Sequence, residues 1–290
     1  MPSSIAGVAA AAAPEFAAPS RELRRDRAGR AARALNAAAV TCFSVLAAGQ
    51  LLLAGYVLAF YGRAALQGRF EDWNTVLPNG YVPGATLMNA LLGLHLALAV
   101  VIIAGGALQL LPAVRRRWPR VHRWNGRLYL AAVTLASVGG VVMVWAHAGK
   151  GDPAQHIAIT INALLILVFA AFALREASRR RFDAHRRWAL RLYLAAAGVW
   201  FFRVGLMFWI LANRGPVGFD PVTFRGPALV VLAFAQYAIP LALLELYFGA
   251  KAASTAAPRV AMASALALLT IALVIGIAGA MLMLWLPRIT

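Results

Sequence analysis

The chain has 290 residues, of which 62% are hydrophobic, and a formal net charge of +18. Soluble domains are about 45–50% apolar, so this composition excludes an ordinary soluble domain. The charge would suggest nucleic acid as a partner of a soluble protein, but here the basic residues lie between long apolar runs, which is typical of membrane topology signals and indicates no nucleic-acid partner.

The first 36 residues form a segment distinct from the rest of the chain. Residues 1–20 are mostly Ala, Pro and Ser and lack the positively charged start of a signal peptide, so we expect disorder. The next stretch, residues 21–35, is strongly basic, and either lies as a short helix on anionic lipid headgroups or is a solvated tail. A single transmembrane domain, residues 37–286, is predicted to follow.

Seven apolar runs in this domain are each long enough to cross a hydrocarbon core, which needs about 20 residues. Prolines and glycines interrupt the sequence between several of them, for example at Pro83, Gly84, Pro112 and Pro153. We therefore predict an all-α polytopic membrane protein with seven transmembrane helices. The runs are 37–61, 87–111, 128–148, 154–175, 191–212, 227–249 and 260–286.

The basic residues predict the orientation. If the spans alternate, 21 of the 28 Lys and Arg residues fall on the N-terminal side of the membrane and six on the other. The positive-inside rule then places the N-terminus in the cytoplasm and the C-terminus outside, with the basic loops against anionic headgroups. Arginine outnumbers lysine 26 to 2, which is typical of GC-rich bacteria, so we expect a bacterial cytoplasmic (inner) membrane.

One motif occurs twice. Residues 127–132 and residues 191–196 both read Arg-Leu-Tyr-Leu-Ala-Ala, and a His-Arg pair precedes each copy, at His122 and at His185. Each copy also follows an apolar run with one histidine near its start, His95 and then His156. We interpret this pattern as an internally duplicated four-helix core made of two hairpins, about 87–148 and 154–212.

The histidines fall at two predicted heights. At about 1.5 Å per residue, His95 and His156 lie about 24 Å and 27 Å above the cytoplasmic ends of their helices, in the outer part of a slab roughly 30 Å thick. His122 and His185 lie at the cytoplasmic interface. Paired histidines on bundled helices are what bis-imidazole haem b requires, so we take His95 and His156 as the leading ligand pair and His122 and His185 as a second pair.

Other interpretations of these histidines stay open. His122 and His185 lie among arginines, where a histidine is often an interfacial anchor. A structural hydrogen bond would equally explain His95, and His156 lies close enough to the outer interface for water to solvate it. With His147 as a third ligand, His95 and His156 could instead bind zinc or copper, although no carboxylate is placed to complete that site.

Arg203 is a basic residue inside a predicted span, near its midplane. Burial there costs at least about 2.5 kcal/mol, so the side chain needs a counter-ion. The partner could be structural, either Glu245 or a backbone carbonyl. Alternatively, it could be a haem propionate, an anionic lipid or an anionic substrate. If the helix is continuous, Arg203 lies five turns after His185 and points to the same side.

Two resemblances extend this interpretation. The histidine geometry resembles that of di-haem b-type transmembrane cytochromes. A closer resemblance, over about residues 85–215, is to a bacterial membrane family known as domain of unknown function 2306, which implies a multi-pass membrane protein without an assigned activity. The residues that carry this second resemblance are His95, Gly105 to Gln109, His122-Arg123, Gly126-Arg127, Tyr129, His185-Arg186, Trp188 and Arg191.

The sequence leaves two functions open. One is a haem-binding electron carrier that uses His95, His156 and Arg203, with an unidentified redox partner. The alternative is a non-redox protein, a small transporter or an assembly factor, in which the same three residues line a polar cavity. No P-loop, nucleotide fingerprint, metalloprotease motif or nucleophile elbow is present, and the single cysteine, Cys42, excludes a cysteine-based metal site, so we assign no catalytic residue.

Overall fold

A computed structural model describes residues 21–77, 80–146 and 152–289, with the side chains of residues 21–24 left out. Within these ranges the chain is helical and contains no β-strand. The expectation of disorder for residues 1–20, and His147, lie outside the described residues. The helices are α1 (Arg21–Val57), α2 (Arg63–Leu66), α3 (Thr86–Leu110), α4 (Pro112–Arg117), α5 (Pro119–Ala146), α6 (Pro153–Ser178), α7 (Phe182–Ala196), α8 (Gly198–Asn213), α9 (Pro227–Ala252), α10 (Ala256–Ala280) and α11 (Leu286–Ile289).

The helices confirm a polytopic membrane protein. Six described segments are long and apolar enough to cross a membrane, and α7 with α8 makes a seventh if that bent pair is one span. Prolines begin several helices, where the missing N–H costs no hydrogen bond. At the start of α6, for example, Pro153 occupies the first turn and the Asp152 carboxylate accepts from the Ala154 amide at 2.9 Å.

The helices form two packed groups. α1 packs along α10 and also against α3, and α8 packs on α10 and α9. α3, α5, α6 and α7 pack in succession around the repeated motifs. The helices come close through small residues: a Cβ on Gly276 of α10 would lie only 2.6 Å from the Val204 side chain of α8. Such close approach is typical of helix pairs in membranes.

A break interrupts the span that was expected to be one helix. α7 ends at Ala196, α8 begins at Gly198, and the two axes differ by 52°. Asn162 of α6 lies at the break, where its Nδ2 donates to the Ala195 carbonyl at 3.2 Å. A Cβ on Gly198 would lie 2.7 Å from this Nδ2, so the absence of a side chain at Gly198 leaves room for the amide. The inference that Arg203 and His185 share one face required a continuous helix, so the break removes its basis.

Candidate functional site

The two copies of the repeated motif meet at one glycine. Tyr129 of α5 and Tyr193 of α7 both pack on Gly106 of α3, where an added Cβ would lie 3.1 Å from each ring. Both rings are buried. The Tyr193 hydroxyl donates to Gln50 Oε1 at 2.8 Å, whereas the Tyr129 hydroxyl is buried with no hydrogen-bond partner. The equivalent tyrosines thus occupy one region but different hydrogen-bonding environments.

His185 has a fixed ring orientation. Its Nδ1 lies 2.8 Å from the Ala173 carbonyl of α6, so the neutral ring donates from Nδ1 and leaves Nε2 as an acceptor. This is the arrangement that metal-binding histidines commonly have, because the outer hydrogen bond fixes the tautomer and raises the basicity of the ligating nitrogen. His185 lies in the first turn of α7 and is half-buried.

His122 is the nearby histidine of the other copy. Its ring lies within electrostatic range of His185, and also of Arg115 and Arg123. Its Nδ1 is buried without a hydrogen-bond partner, an arrangement that costs free energy unless a bound group completes it. α5 begins at Pro119, nine residues before the predicted span, so His122 lies in the first turns of a helix and not in a loop below it.

His95 packs against α5. Its ring hydrogen-bonds to the backbone at Ala136 and lies beside Gly140, where an added Cβ would lie 3.4 Å from the His95 Cε1. The ring is half-buried, and its Nδ1 is buried with no hydrogen-bond partner. Arg203 lies within electrostatic range of this ring.

His156 also contacts α5, but at another face. Its ring meets Trp145 edge-on, with the ring centroids 5.7 Å apart and the planes at 71°. Trp145 follows Gly140 by five residues, so their side chains point about 140° apart around the helix. α5 packs against both α3 and α6 and supplies a neighbour to each ring. The pairing of His95 with His156 around one metal stays a prediction. In the described part of the chain, no group of three or more His, Cys, Asp or Glu side chains could hold a metal ion.

Arg203 lies in α8 and is half-buried. Its Nη1 approaches the Val199 carbonyl at 3.4 Å, which matches the expected backbone brace. Glu245 is paired instead with Arg191, at 2.7 Å, so the alternative of an Arg203–Glu245 pair is wrong. No carboxylate among the described side chains lies within 4 Å of Arg203.

Three polar groups of this interior were missed by sequence reasoning. Glu176, near the end of α6, is buried and has Arg175 and Arg181 each at 3.9 Å. Gln50 and Asn162 are buried amides in apolar runs. An amide inside a hydrophobic segment is a recognisable signal, because it must find a partner within the bundle.

These helices define the class: an integral membrane protein that crosses the bilayer several times. Within that class, the chain belongs to the family described as "Predicted membrane protein (DUF2306)", whose profile matches residues 92–239. The match contains all five candidate residues: His95, His122, His156, His185 and Arg203. No curated protein and no solved structure matches the chain.

Proposed function

We propose that this protein is a membrane-embedded electron carrier that binds haem b, with His122 and His185 as the axial ligands. The observation that carries the proposal is the local geometry of these residues. Two histidines from the two copies of one motif lie within electrostatic range of each other, and the Ala173 carbonyl orients one of them with its Nε2 available.

Several side chains at this end of the bundle are of the types that would hold haem b. His122 and His185 would hold its iron through neutral imidazole nitrogens, and the bound group would supply one-electron chemistry. Arg115 and Arg123 lie within electrostatic range of His122 and suit the carboxylate groups of the macrocycle. These residues would orient the group, and the buried Tyr129 hydroxyl offers a further donor.

The choice of ligand pair differs from the leading pair of the sequence analysis. His95 and His156 contact different faces of α5, whereas His122 and His185 lie within electrostatic range of each other. We therefore give the cytoplasmic pair priority and keep His95 and His156 as the alternative ligand pair for the haem.

Difference spectra test the proposal. The purified full chain, expressed with haem supplied, is expected to show a b-type band in reduced-minus-oxidised spectra. His122→Ala and His185→Ala should each abolish most of that band, and His156→Ala is the matched histidine control that keeps it. Absence of a band in the wild type would refute the function. If His95→Ala and His156→Ala lose the band while His122→Ala and His185→Ala keep it, the haem is assigned to the other pair.

A second candidate, a non-redox protein with a polar cavity lined by His95, His156 and Arg203, is favoured by the break at Ala197. Discontinuous transmembrane helices frequently form substrate sites in transporters, because irregular backbone is tolerated at membrane depth where it lines a cavity. Asn162 and Trp200, beside the break, each keep a buried polar atom without a partner. If this candidate is correct, the wild type shows no haem band, and Asn162→Ala reduces the uptake of the transported substrate by proteoliposomes that contain the protein.

A further inference from the structure

The end of the bundle opposite the arginine-rich loops carries a basic cavity. Its volume is about 160 Å³. Three arginines and a single carboxylate are among the residues that line it, namely Arg63, Arg69, Arg288 and Asp72. Three cations around one small cavity repel one another, so this arrangement favours an anionic occupant.

The carboxylate does not neutralise the cavity. Asp72 pairs with Arg69 at 3.4 Å, and Arg69 also donates to Gln67 Oε1 at 2.6 Å. Arg288 donates to the Leu284 carbonyl, and no described carboxylate lies within 4 Å of Arg288 or of Arg63. Two guanidinium groups at the cavity therefore lack a counter-ion among the described side chains.

Two tyrosines lie behind a residue that lines this cavity. Phe60 lines the cavity and stacks on Tyr56, with the ring centroids 5.6 Å apart. Tyr56 meets Tyr61 edge-on at 6.0 Å. Both tyrosines lie within electrostatic range of Arg288 at the surface and of Arg203 deeper in the bundle.

Arg203 and His95 are two further polar residues, deeper in the bundle. Arg203 lacks a carboxylate partner among the described residues, and His95, within its electrostatic range, has a buried Nδ1 with no hydrogen-bond partner. Polar groups of this kind are costly in a membrane interior unless a partner satisfies them. The Tyr56 and Tyr61 hydroxyls hydrogen-bond to each other, and the His95 ring hydrogen-bonds to the backbone at Ala136. The Arg203 guanidinium is therefore the group with several N–H donors for an oxyanion.

We propose that these residues form a binding site for a phosphate or carboxylate group, which enters at the basic cavity and binds at Arg203. Arg63 and Arg288 attract the anion, and Arg203 holds it. The site lies at the end of the bundle away from His122 and His185, so it does not depend on haem at that pair. Both a free anion and the headgroup of an anionic lipid carry this chemistry.

The experiment uses the full chain in nanodiscs of a zwitterionic lipid, with inorganic phosphate as the probe and chloride at equal ionic strength as the salt control. Phosphate should raise the unfolding temperature in a saturable manner. Arg203→Gln should weaken the apparent affinity at least tenfold, whereas Arg214→Gln, an exposed arginine at the same end of the bundle, should leave it unchanged. Arg203→Lys, which keeps the charge but loses the planar fork, should be intermediate.

A second arm separates the two sources of the group. If free phosphate has no effect but nanodiscs with phosphatidylglycerol stabilise the wild type and not Arg203→Gln, the site takes a lipid headgroup. Should Arg203→Gln fail to fold, Arg63→Gln and Arg288→Gln at the surface are the variants expected to weaken binding. The proposal is overturned if neither form of phosphate stabilises the wild type, or if both stabilise it independently of these arginines.

Discussion

Gly106 is the most informative position for a stability test, because two tyrosines of the repeated motif pack on it. In Gly106→Ala the new Cβ would lie 3.1 Å from both Tyr129 and Tyr193, closer than an ordinary van der Waals contact. Overpacking of this kind typically lowers the free energy of unfolding by about 1–3 kcal/mol. Alanine also gains up to about 1 kcal/mol over glycine in a helix, so this variant alone mixes two effects.

Gly139→Ala separates the overpacking from the helix-propensity gain. Gly139 lies inside α5, and an added Cβ would meet nothing within 4 Å. This variant receives the helix-propensity gain without the overpacking. Equilibrium unfolding in mixed micelles should therefore place Gly106→Ala about 1–3 kcal/mol below Gly139→Ala. Equal free energies of unfolding for the two variants would refute the packing of both tyrosines on Gly106.

Three further predictions concern the bend, a peripheral ion pair and the orientation. Asn162→Ala should lower the free energy of unfolding by about 1 kcal/mol, because a carbonyl at the bend loses its donor; an unchanged value in the same unfolding assay contradicts this. A double-mutant cycle on Arg191 and Glu245 should give a coupling below about 1 kcal/mol, since Glu245 is 49% exposed. In a cysteine-free background, Arg214→Cys should react with an impermeant thiol reagent added outside intact cells and Arg179→Cys should not; the reverse pattern would invert the predicted topology.

Much of the fold could be predicted from the sequence, because hydrocarbon thickness and backbone hydrogen bonding limit membrane-spanning structures so strongly. The apolar runs and the prolines predicted where the membrane-spanning helices lie. The break at Ala197 could not be read from the sequence, since it lies in an alanine-rich run that favours a continuous helix. Its cause is tertiary: the Asn162 amide, distant in sequence, binds the Ala195 carbonyl.

Sequence patterns supplied the candidate residues of the site but could not supply their pairings. The heights of His95 and His156 follow from counting residues, but which ring faces which depends on how each helix is rotated about its axis. That rotation is set by contacts such as His95 on Gly140, which sequence spacing does not reveal. For the same reason an Arg203–Glu245 pair was one of the open alternatives, although Glu245 pairs with Arg191.

Electron paramagnetic resonance of the oxidised, haem-supplied protein tests the central claim most directly. Two imidazoles on one iron produce a low-spin signal, so the wild type should show one, and it should be lost or converted to a high-spin signal in both His122→Ala and His185→Ala. A low-spin signal that persists in both variants would contradict His122 and His185 as the axial ligands.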